Sequence, residues 1–479
     1  MKAELLPEPE LQFGAGTHVD IRFGLKNYGP ITFDDADMPT ELRLGFVGTP
    51  STIQGVRDWL DGCRKGVVPK VTKKPNLFPA FPGFGTDTCF NCDWLSSPKL
   101  ERPISPRDIN AILSKCSREE AAIKMVDAFI SECRYLTENT KADVIVCAPP
   151  QEMFEFLDTP LVDESEDLEA AAGVRTDFHD LLKARGLSLA KPIQMIRPVT
   201  YDDQVKEVSR TGRPRGLQDA ATRAWNFHTA LYYKAGGTPW RLLRKPSDLA
   251  SCYVGVSFYR SLDKQRVHTS VAQVFNERGE GMILRGGDAQ DSKSSEDRQP
   301  HLSREDTAKL LVTAIKAFHQ EHRHMPARVV VHKTSSFNEA EMAGCEDAFR
   351  ELNISSHDLL VVGESFTRLF RDGTYPPLRG TFLNFDSTFS ILYTRGSIDF
   401  YMMYPGMYVP KSLELQCVST EQPPRALASE ILSLTKMNWN NTQFDSALPI
   451  TIKAARQVGA ILKYVESANP IQAGYGFYM

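Results

Sequence analysis

Short apolar runs that alternate with helical patterns constrain this chain more than any other feature. Leu42 to Val47 (LRLGFV) is one such run, and a helical pattern follows from Thr52 to Cys63. Asp143 to Cys147 (DVIVC) is a second; a helix around Glu119 to Leu136 precedes it and Pro149-Pro150 ends it. Pro192 to Ile196 (PIQMI) is a third. Apolar runs of this length suit strands buried on both faces. Their alternation with helices predicts a mostly parallel, Rossmann-like α/β first half.

The second half is patterned differently. Tyr253 to Tyr259, Thr269 to Asn276 and Gly281 to Arg285 read as three consecutive strands of a meander. A helix is expected from Ser303, with Asp306 three residues on, to about His322. Arg328 to His332 and Asp358 to Val362 then read as strands beside helical sequence. Three strands, a helix and further strand-helix units form the ribonuclease H-like order, though many α/β domains share it. Val67 to Pro106 is rich in proline and glycine and is expected to wrap irregularly over a core. Asp288 to Gln299 is polar and reads as a surface loop.

Composition sets the bounds. The 479 residues suffice for two to four domains. Hydrophobic content of 42% and charge of 24% are those of a globular protein. The sequence lacks an apolar run of about 18 residues, so no membrane span is expected. The first residues carry Glu4, Glu8 and Glu10 without an apolar stretch, which does not resemble a signal peptide. Nine cysteines without a framework fit a reducing cytoplasm. Cys89 and Cys92 form a lone CxxC with no second pair nearby, so a loop with free thiols is favoured over zinc. The net charge of −4 gives no sign of nucleic acid, but Gln204 to Lys245 holds nine basic residues against Glu207 and Asp219. Such a stretch either neutralises phosphates or forms a solvated linker face.

Two helices carry the most specific pattern. In Asp177 to Gln194 (DFHDLLKARGLSLAKPIQ), His179 and Lys183 stand four residues apart and so share a helix face. Gln194 follows on the next element. Trp225 to Gly237 (WNFHTALYYKAGG) is a helix with a glycine stop, ending on Lys234. The order of His179, Lys183 and Gln194, followed by K-A-G-G-T-P-W, resembles the guide-binding pocket of the Argonaute MID domain and its junction into the PIWI domain. The resemblance implies that Lys183 and Lys234 grip the terminal phosphate of a guide strand and that Gln194 hydrogen-bonds it. It implies that His179 stacks on the first base and that Asn226 belongs to the same site. Ala230 departs from the family, where many members carry a second lysine.

The resemblance extends over nearly the whole chain. Leu11-Gln12-Phe13-Gly14, Gly24-Leu25 and Gly29-Pro30 look like the entry to MID. Trp439, Pro449 and a helix from Ile452 to Tyr464 look like the C-terminal part of PIWI. The expected domains are MID with its entry segment over 1–245 and PIWI over 246–479. No room is left for the N and PAZ domains of long Argonautes, so the chain looks like a short prokaryotic Argonaute. Ser257, Thr334 and Arg456 occupy the family's metal-binding acid positions. Ribonuclease H-like cleavage needs carboxylates converging on two cations, so no slicing is expected. Glu277 and Glu280 are candidates for a glutamate finger that cannot be placed. Lys333 and Arg456, with Arg210, Arg213 and Arg215, are candidate contacts to a guide–target duplex, or, for Lys333 and Arg456, drift on an idle surface. In the family the C-terminal carboxylate often lies near the guide phosphate, so the resemblance implies Mg²⁺ held between the Met479 carboxylate and that phosphate.

The function implied is that of a guide-loaded recognition subunit in the cytoplasm. It would take a short guide, RNA by resemblance, and detect complementary single-stranded invading DNA as part of prokaryotic antiviral defence. It would activate a separate APAZ-containing effector, a sirtuin-like or Toll/interleukin-receptor-like NAD hydrolase or a nuclease, in abortive infection. Two alternatives remain from the residues: a self-sufficient nuclease using Asp386 and Asp399, and a non-catalytic DNA-binding homodimer. A dinucleotide enzyme is disfavoured, because FPGFG (Phe81 to Gly85) and Arg285-Gly286-Gly287 do not join a strand to a helix.

Overall fold

A computed structural model describes residues 1–31, 38–158, 177–206, 217–244, 248–263, 265–275, 281–289, 297–372, 376–406, 409–443, 446–465 and 474–479, with the backbone alone at 270–275. The chain divides into two compact units. The first comprises Thr32–Gly237 with Tyr464–Gln472 and Gly476–Met479. The second comprises Met1–Ile31, Thr238–Lys463 and Ala473–Tyr475.

The first unit is built on a parallel sheet. Its strands run in the order Asp93–Leu95, Glu41–Gly48, Val144–Ala148, Ile193–Met195, and Glu101–Pro103 also pairs with Glu41–Gly48. Val144–Ala148 is buried at every residue, as a central parallel strand covered on both faces should be. The helix Pro50–Arg64 starts directly after its strand. Thr49 caps it reciprocally with Thr52, and proline takes the first helical position. The helix Arg118–Asn139 starts on a capping box of Ser117 and Glu120. It lays Met125, Phe129, Cys133 and Leu136 against Ile145 and Cys147 of the sheet. The helix Phe178–Gly186 packs Phe178, Leu181 and Leu182 into the same core. Residues 67–106 form only short pieces, as expected, but one of them is the edge strand Asp93–Leu95. Cys92 is a buried free thiol, and burial pushes it up to about 12.

The second unit carries the larger sheet. Three parallel strands form its centre: Ser251–Arg260, Arg328–Lys333 and Ser356–Ser365. Val267–Phe275 and Gly281–Ile283 extend one side antiparallel. Ser412–Thr420, Phe389–Leu392, Thr381–Asn384 and Lys2–Leu5 extend the other. Helices Arg304–His322 and Glu339–Glu351 cover one face through Leu311, Ile315, Phe318 and Phe349. Helices Pro424–Leu434 and Ile450–Leu462 cover the other through Leu427, Ile431 and Ile452. Arg328 is locked between Asp358 at 2.5 Å and Glu430 at 2.5 Å, and both acids raise its pKa against burial.

The expected boundary at 245 needs correction at both ends. Met1–Ile31 belongs to the second unit, because Lys2–Leu5 adds an edge strand to Thr381–Asn384 and Leu11–Gln12 pairs with Arg241–Leu242. The last residues, Gly476–Met479, belong to the first unit. Neither pairing has a local signal, since both join segments far apart in the chain.

Gly255 shows how tightly the second unit is closed. A Cβ at this position would lie 2.3 Å from the carbonyl oxygen of Thr451, in the first turn of the helix Ile450–Leu462. The helix therefore crosses the strand where only hydrogen fits. Gly255→Ala is expected to lower the urea midpoint by the equivalent of about 1–3 kcal/mol. A midpoint equal to that of the parent would show that the helix can move away at no cost.

Candidate nucleic-acid interface

The first unit brings four of its predicted site residues to one point. Lys183 lies one turn from the end of its helix, and only 2% of it is exposed. Its Nζ donates to the carbonyl of Ile193 at 2.5 Å and to the main-chain oxygen of Met479. Lys234 is the last residue of the helix Ala220–Lys234. Its Nζ donates to the same Met479 oxygen at 2.9 Å and to Oε1 of Gln194. Gly236, at φ +101°, turns the chain immediately after this helix. In that left-handed region a side chain would be strained. The strand Ile193–Met195 supplies both Gln194 and the Ile193 carbonyl.

Burial governs the electrostatics here. It pushes the Lys183 ammonium down to about 8. Lys234 is also lowered well below its ordinary value, first by burial and then by the charge of Lys183. Two ammonium groups thus converge on one oxygen, and each lowers its cost by donating to oxygens. Such a cluster can hold a small oxyanion, and the Ile193 carbonyl and Oε1 of Gln194 accept from the lysines and orient them.

The remaining predicted residues of this unit sit elsewhere. His179, one helical turn before Lys183, is partly exposed and stands 3.1 Å from Asp180. Among the described residues, Asp177, His179 and Asp180 form the one group of His, Cys, Asp or Glu placed to share a metal ion. Cys89 and Cys92 join no such group. Asn226 is eight residues before Lys234 on the same helix, about 12 Å along the axis. It donates to Gln218 at 3.2 Å and does not reach the lysine cluster. Arg210, Arg213 and Arg215 lie outside the described residues, as do Lys245, Glu277 and Glu280. Within the basic stretch, Arg223 is committed to the carbonyls of Val199 and Thr200 and to Asp203. Arg241 donates to Gln12. The carbonyl of Ile193 had no sequence signal, because every residue carries one.

In the second unit, the parallel register sets Ser257 and Thr334 at the same end of neighbouring strands. Val256 pairs with Lys333, and the Thr334 amide donates to the Val256 carbonyl at 3.3 Å. Ser257 is buried and pairs with Ser270 after a bulge. Arg456, on the helix Ile450–Leu462, meets Glu364 at 3.4 Å, and Lys411 meets the same acid at 3.0 Å. Lys411, then Arg456, hold the Glu364 carboxyl below its ordinary range. Asp386 is an exposed turn acid that accepts from the amides of Thr388 and Phe389. Asp399 opens a single 3₁₀ turn.

Lys333 corrects an expectation. It is 2% exposed and forms an ion pair with Glu341 at 2.7 Å, so it is not presented to a duplex. His301 also approaches Glu341, at 2.9 Å, and its other nitrogen stands 3.0 Å from Asp297. Hydrogen bonds from Ser336 and then His301 hold the Asp297 carboxyl well below its ordinary range. A cation in a strand buried on both faces needs a partner, and Glu341 is that partner. Lys333→Met should therefore destabilise the protein by about 3–5 kcal/mol in chemical denaturation, because Glu341 loses its cation. A surface phosphate contact would change stability by less than about 0.5 kcal/mol.

No family model matches the sequence, and no curated protein matches it. Solved structures do. The chain aligns with Clostridium butyricum Argonaute bound to a guide DNA and a 19-mer target DNA at 14% identity and a TM-score of 0.65, covering 98% of this chain and 53% of that one. It aligns with Aa-Ago, solved with externally bound siRNA, at 16% identity and a TM-score of 0.62, covering 100% and 56%. It aligns with Drosophila Piwi at 12% identity and a TM-score of 0.59, covering 100% and 56%. The chain spans about half the length of these structures. The likeness establishes an Argonaute-like fold: an α/β MID-like unit and a PIWI-like unit. No helix among the described residues is long and apolar enough to cross a membrane.

Proposed function

We propose that this chain is a guide-binding recognition subunit that does not itself cut nucleic acid. One observation carries the reading: two buried ammonium groups, Lys183 and Lys234, donate to a single oxygen of Met479. Both side chains donate to that oxygen, and a phosphate brought beside them would favour their charged forms. The Oε1 of Gln194 and the Ile193 carbonyl hold the ammonium groups in place. A terminal phosphate is the anion that an Argonaute-like unit of this kind would take. His179, partly exposed one turn away, is placed to stack on the adjoining base without sequence preference. Base pairing then reads the target, and the protein reads backbone and shape.

The second unit supports recognition without hydrolysis. Ser257, Thr334 and Arg456 offer hydroxyls and a guanidinium where two metal ions would need carboxylates. Glu364 is already engaged by Arg456 and Lys411. In this reading the guide is a short RNA and the target single-stranded invading DNA. The response is assigned to a separate cytoplasmic APAZ-containing effector, an NAD hydrolase or a nuclease, as in antiviral defence by abortive infection. Magnesium fits only in part. The oxygens of Met479, Gln194 and Ile193 are suitable hard donors, but the ammonium groups already hold them. A Mg²⁺ ion would therefore need the oxygens of a bound phosphate to complete its donor set.

The test compares a 5′-phosphorylated guide with its 5′-hydroxyl form. Lys183→Met with Lys234→Met should abolish the preference for phosphate, with a loss of about 10- to 100-fold in affinity. Equal affinity of the parent for both forms would overturn the pocket. Guide-directed cleavage by the purified chain, lost on Lys183→Met, would overturn the second half of the proposal.

Proton linkage gives an independent check. Lys183 titrates near 8 in the protein alone. A phosphate dianion favours the charged ammonium, so binding raises that pKa. Between the two values binding takes up protons, and affinity falls as pH rises above about 8. Calorimetry at that pH in buffers of different ionisation enthalpy should register net proton uptake on guide binding.

A further inference from the structure

The second unit holds out two phenylalanines that its core does not use. Phe366 is 92% exposed and Phe370 is 73% exposed. They lie in the segment Ser365-Phe366-Thr367-Arg368-Leu369-Phe370-Arg371, where aromatic and basic residues interleave and no acid occurs. The segment directly follows the central parallel strand Ser356–Ser365. That strand points its end the same way as those carrying Ser257 and Thr334, two to three residues further on. Glu364, the next-to-last residue of the strand, meets Arg456 and Lys411. The aromatic segment therefore lies at the same end of the sheet as Ser257 and Thr334, just beyond the Glu364 that Arg456 meets.

The segment is held firmly, so the exposure is built in. The Leu369 amide donates to the Tyr393 hydroxyl at 2.7 Å, and that hydroxyl donates to the Thr367 carbonyl at 3.0 Å. Leu369 packs beside Leu383, Ile391 and Tyr393. Arg368 is fastened to the carbonyls of Ser365 and Thr367, both at 2.9 Å, and Arg371 to that of Pro376 at 3.0 Å. Each guanidinium carries five N–H donors, so these bonds fix its position without exhausting it.

We infer that this segment is a stacking platform for single-stranded nucleic acid, with Phe366 and Phe370 under the bases and Arg368 and Arg371 on the phosphates. The inference rests on the reading that guide and target strands reach this unit. Bases inside a continuous duplex are already stacked on one another, so exposed rings suit an unpaired strand. The arginines supply the charge that an apolar protein partner would not require. The partner chemistry is therefore an unpaired stretch of guide or target, DNA or RNA.

The experiment uses the full chain and short 5′-hydroxyl oligothymidine and oligouridine, which lack the phosphate that Lys183 and Lys234 would take. The variant Phe366→Ala with Phe370→Ala, made at exposed positions, should weaken binding of at least one of them roughly ten-fold. Arg371→Ala should reduce the slope of log affinity against log salt by roughly 0.7. Adding a 5′-phosphate to the same oligonucleotides should leave the loss in the double-alanine variant unchanged, which separates this platform from the phosphate cluster. A response to oligothymidine alone assigns the platform to DNA, and one to oligouridine alone assigns it to RNA. Parent and double-alanine variant binding both oligonucleotides equally, or a parent that binds neither, would overturn the inference. So would oligonucleotide affinity retained by a variant that has lost a co-purifying protein, which would give the rings to a protein partner.

Discussion

Like charges do not share a buried site unless something negative lies between them. Lys183 and Lys234 come from the ends of two different helices, and both are drawn to the oxygen of Met479. That convergence decides much else in the first unit. The strand Ile193–Met195 must lie close enough for its carbonyl and its glutamine to serve both ammonium groups. The helix Ala220–Lys234 must stop at Lys234, and Gly236 lets the chain turn away at once. The chain end must be brought to the point where the two helices finish. Such an arrangement costs stability for its own sake, and costly buried charge marks sites where a ligand is met.

The second unit treats charge differently. Several of its cations are matched to acids. Arg328 takes Asp358 and Glu430, Lys333 takes Glu341, and Arg456 shares Glu364 with Lys411. The sheet, its helices and the crossing at Gly255 remain closely packed all the same. Packing and recognition place their own demands on this scaffold, separate from those of hydrolysis.

Much of this was legible in residues alone, for identifiable reasons. The buried strands at 42–47, 143–147 and 192–196 declare themselves by short, mostly apolar runs, and the helix Arg304–His322 by its cap of Ser303 with Asp306. The cluster of Lys183, Gln194, Lys234 and Met479 was readable only through its resemblance to a known pocket, since nothing local ties residue 479 to Lys183. Asn226 was misplaced because helical spacing of eight residues keeps a face but adds two turns of height. Lys333 was misread because a strand's pleat does not say which face is solvent when helices cover both. Its partner Glu341 stands eight residues on, across a turn into the next helix. The edge strand Lys2–Leu5 was invisible, since its partner Thr381–Asn384 lies at the other end of the chain.

The Met479 oxygen has a consequence for the life of the molecule. It lies 296 residues beyond Lys183 in sequence. A ribosome releases chain from the amino end, so the MID-like sheet and both lysine-bearing helices can form while the last strands of the PIWI-like sheet are still being made. Their shared oxygen arrives only once residue 479 has left the exit tunnel. Until that oxygen arrives, Lys183 and Lys234 lack the group between them, and the charge of each disfavours the charge of the other.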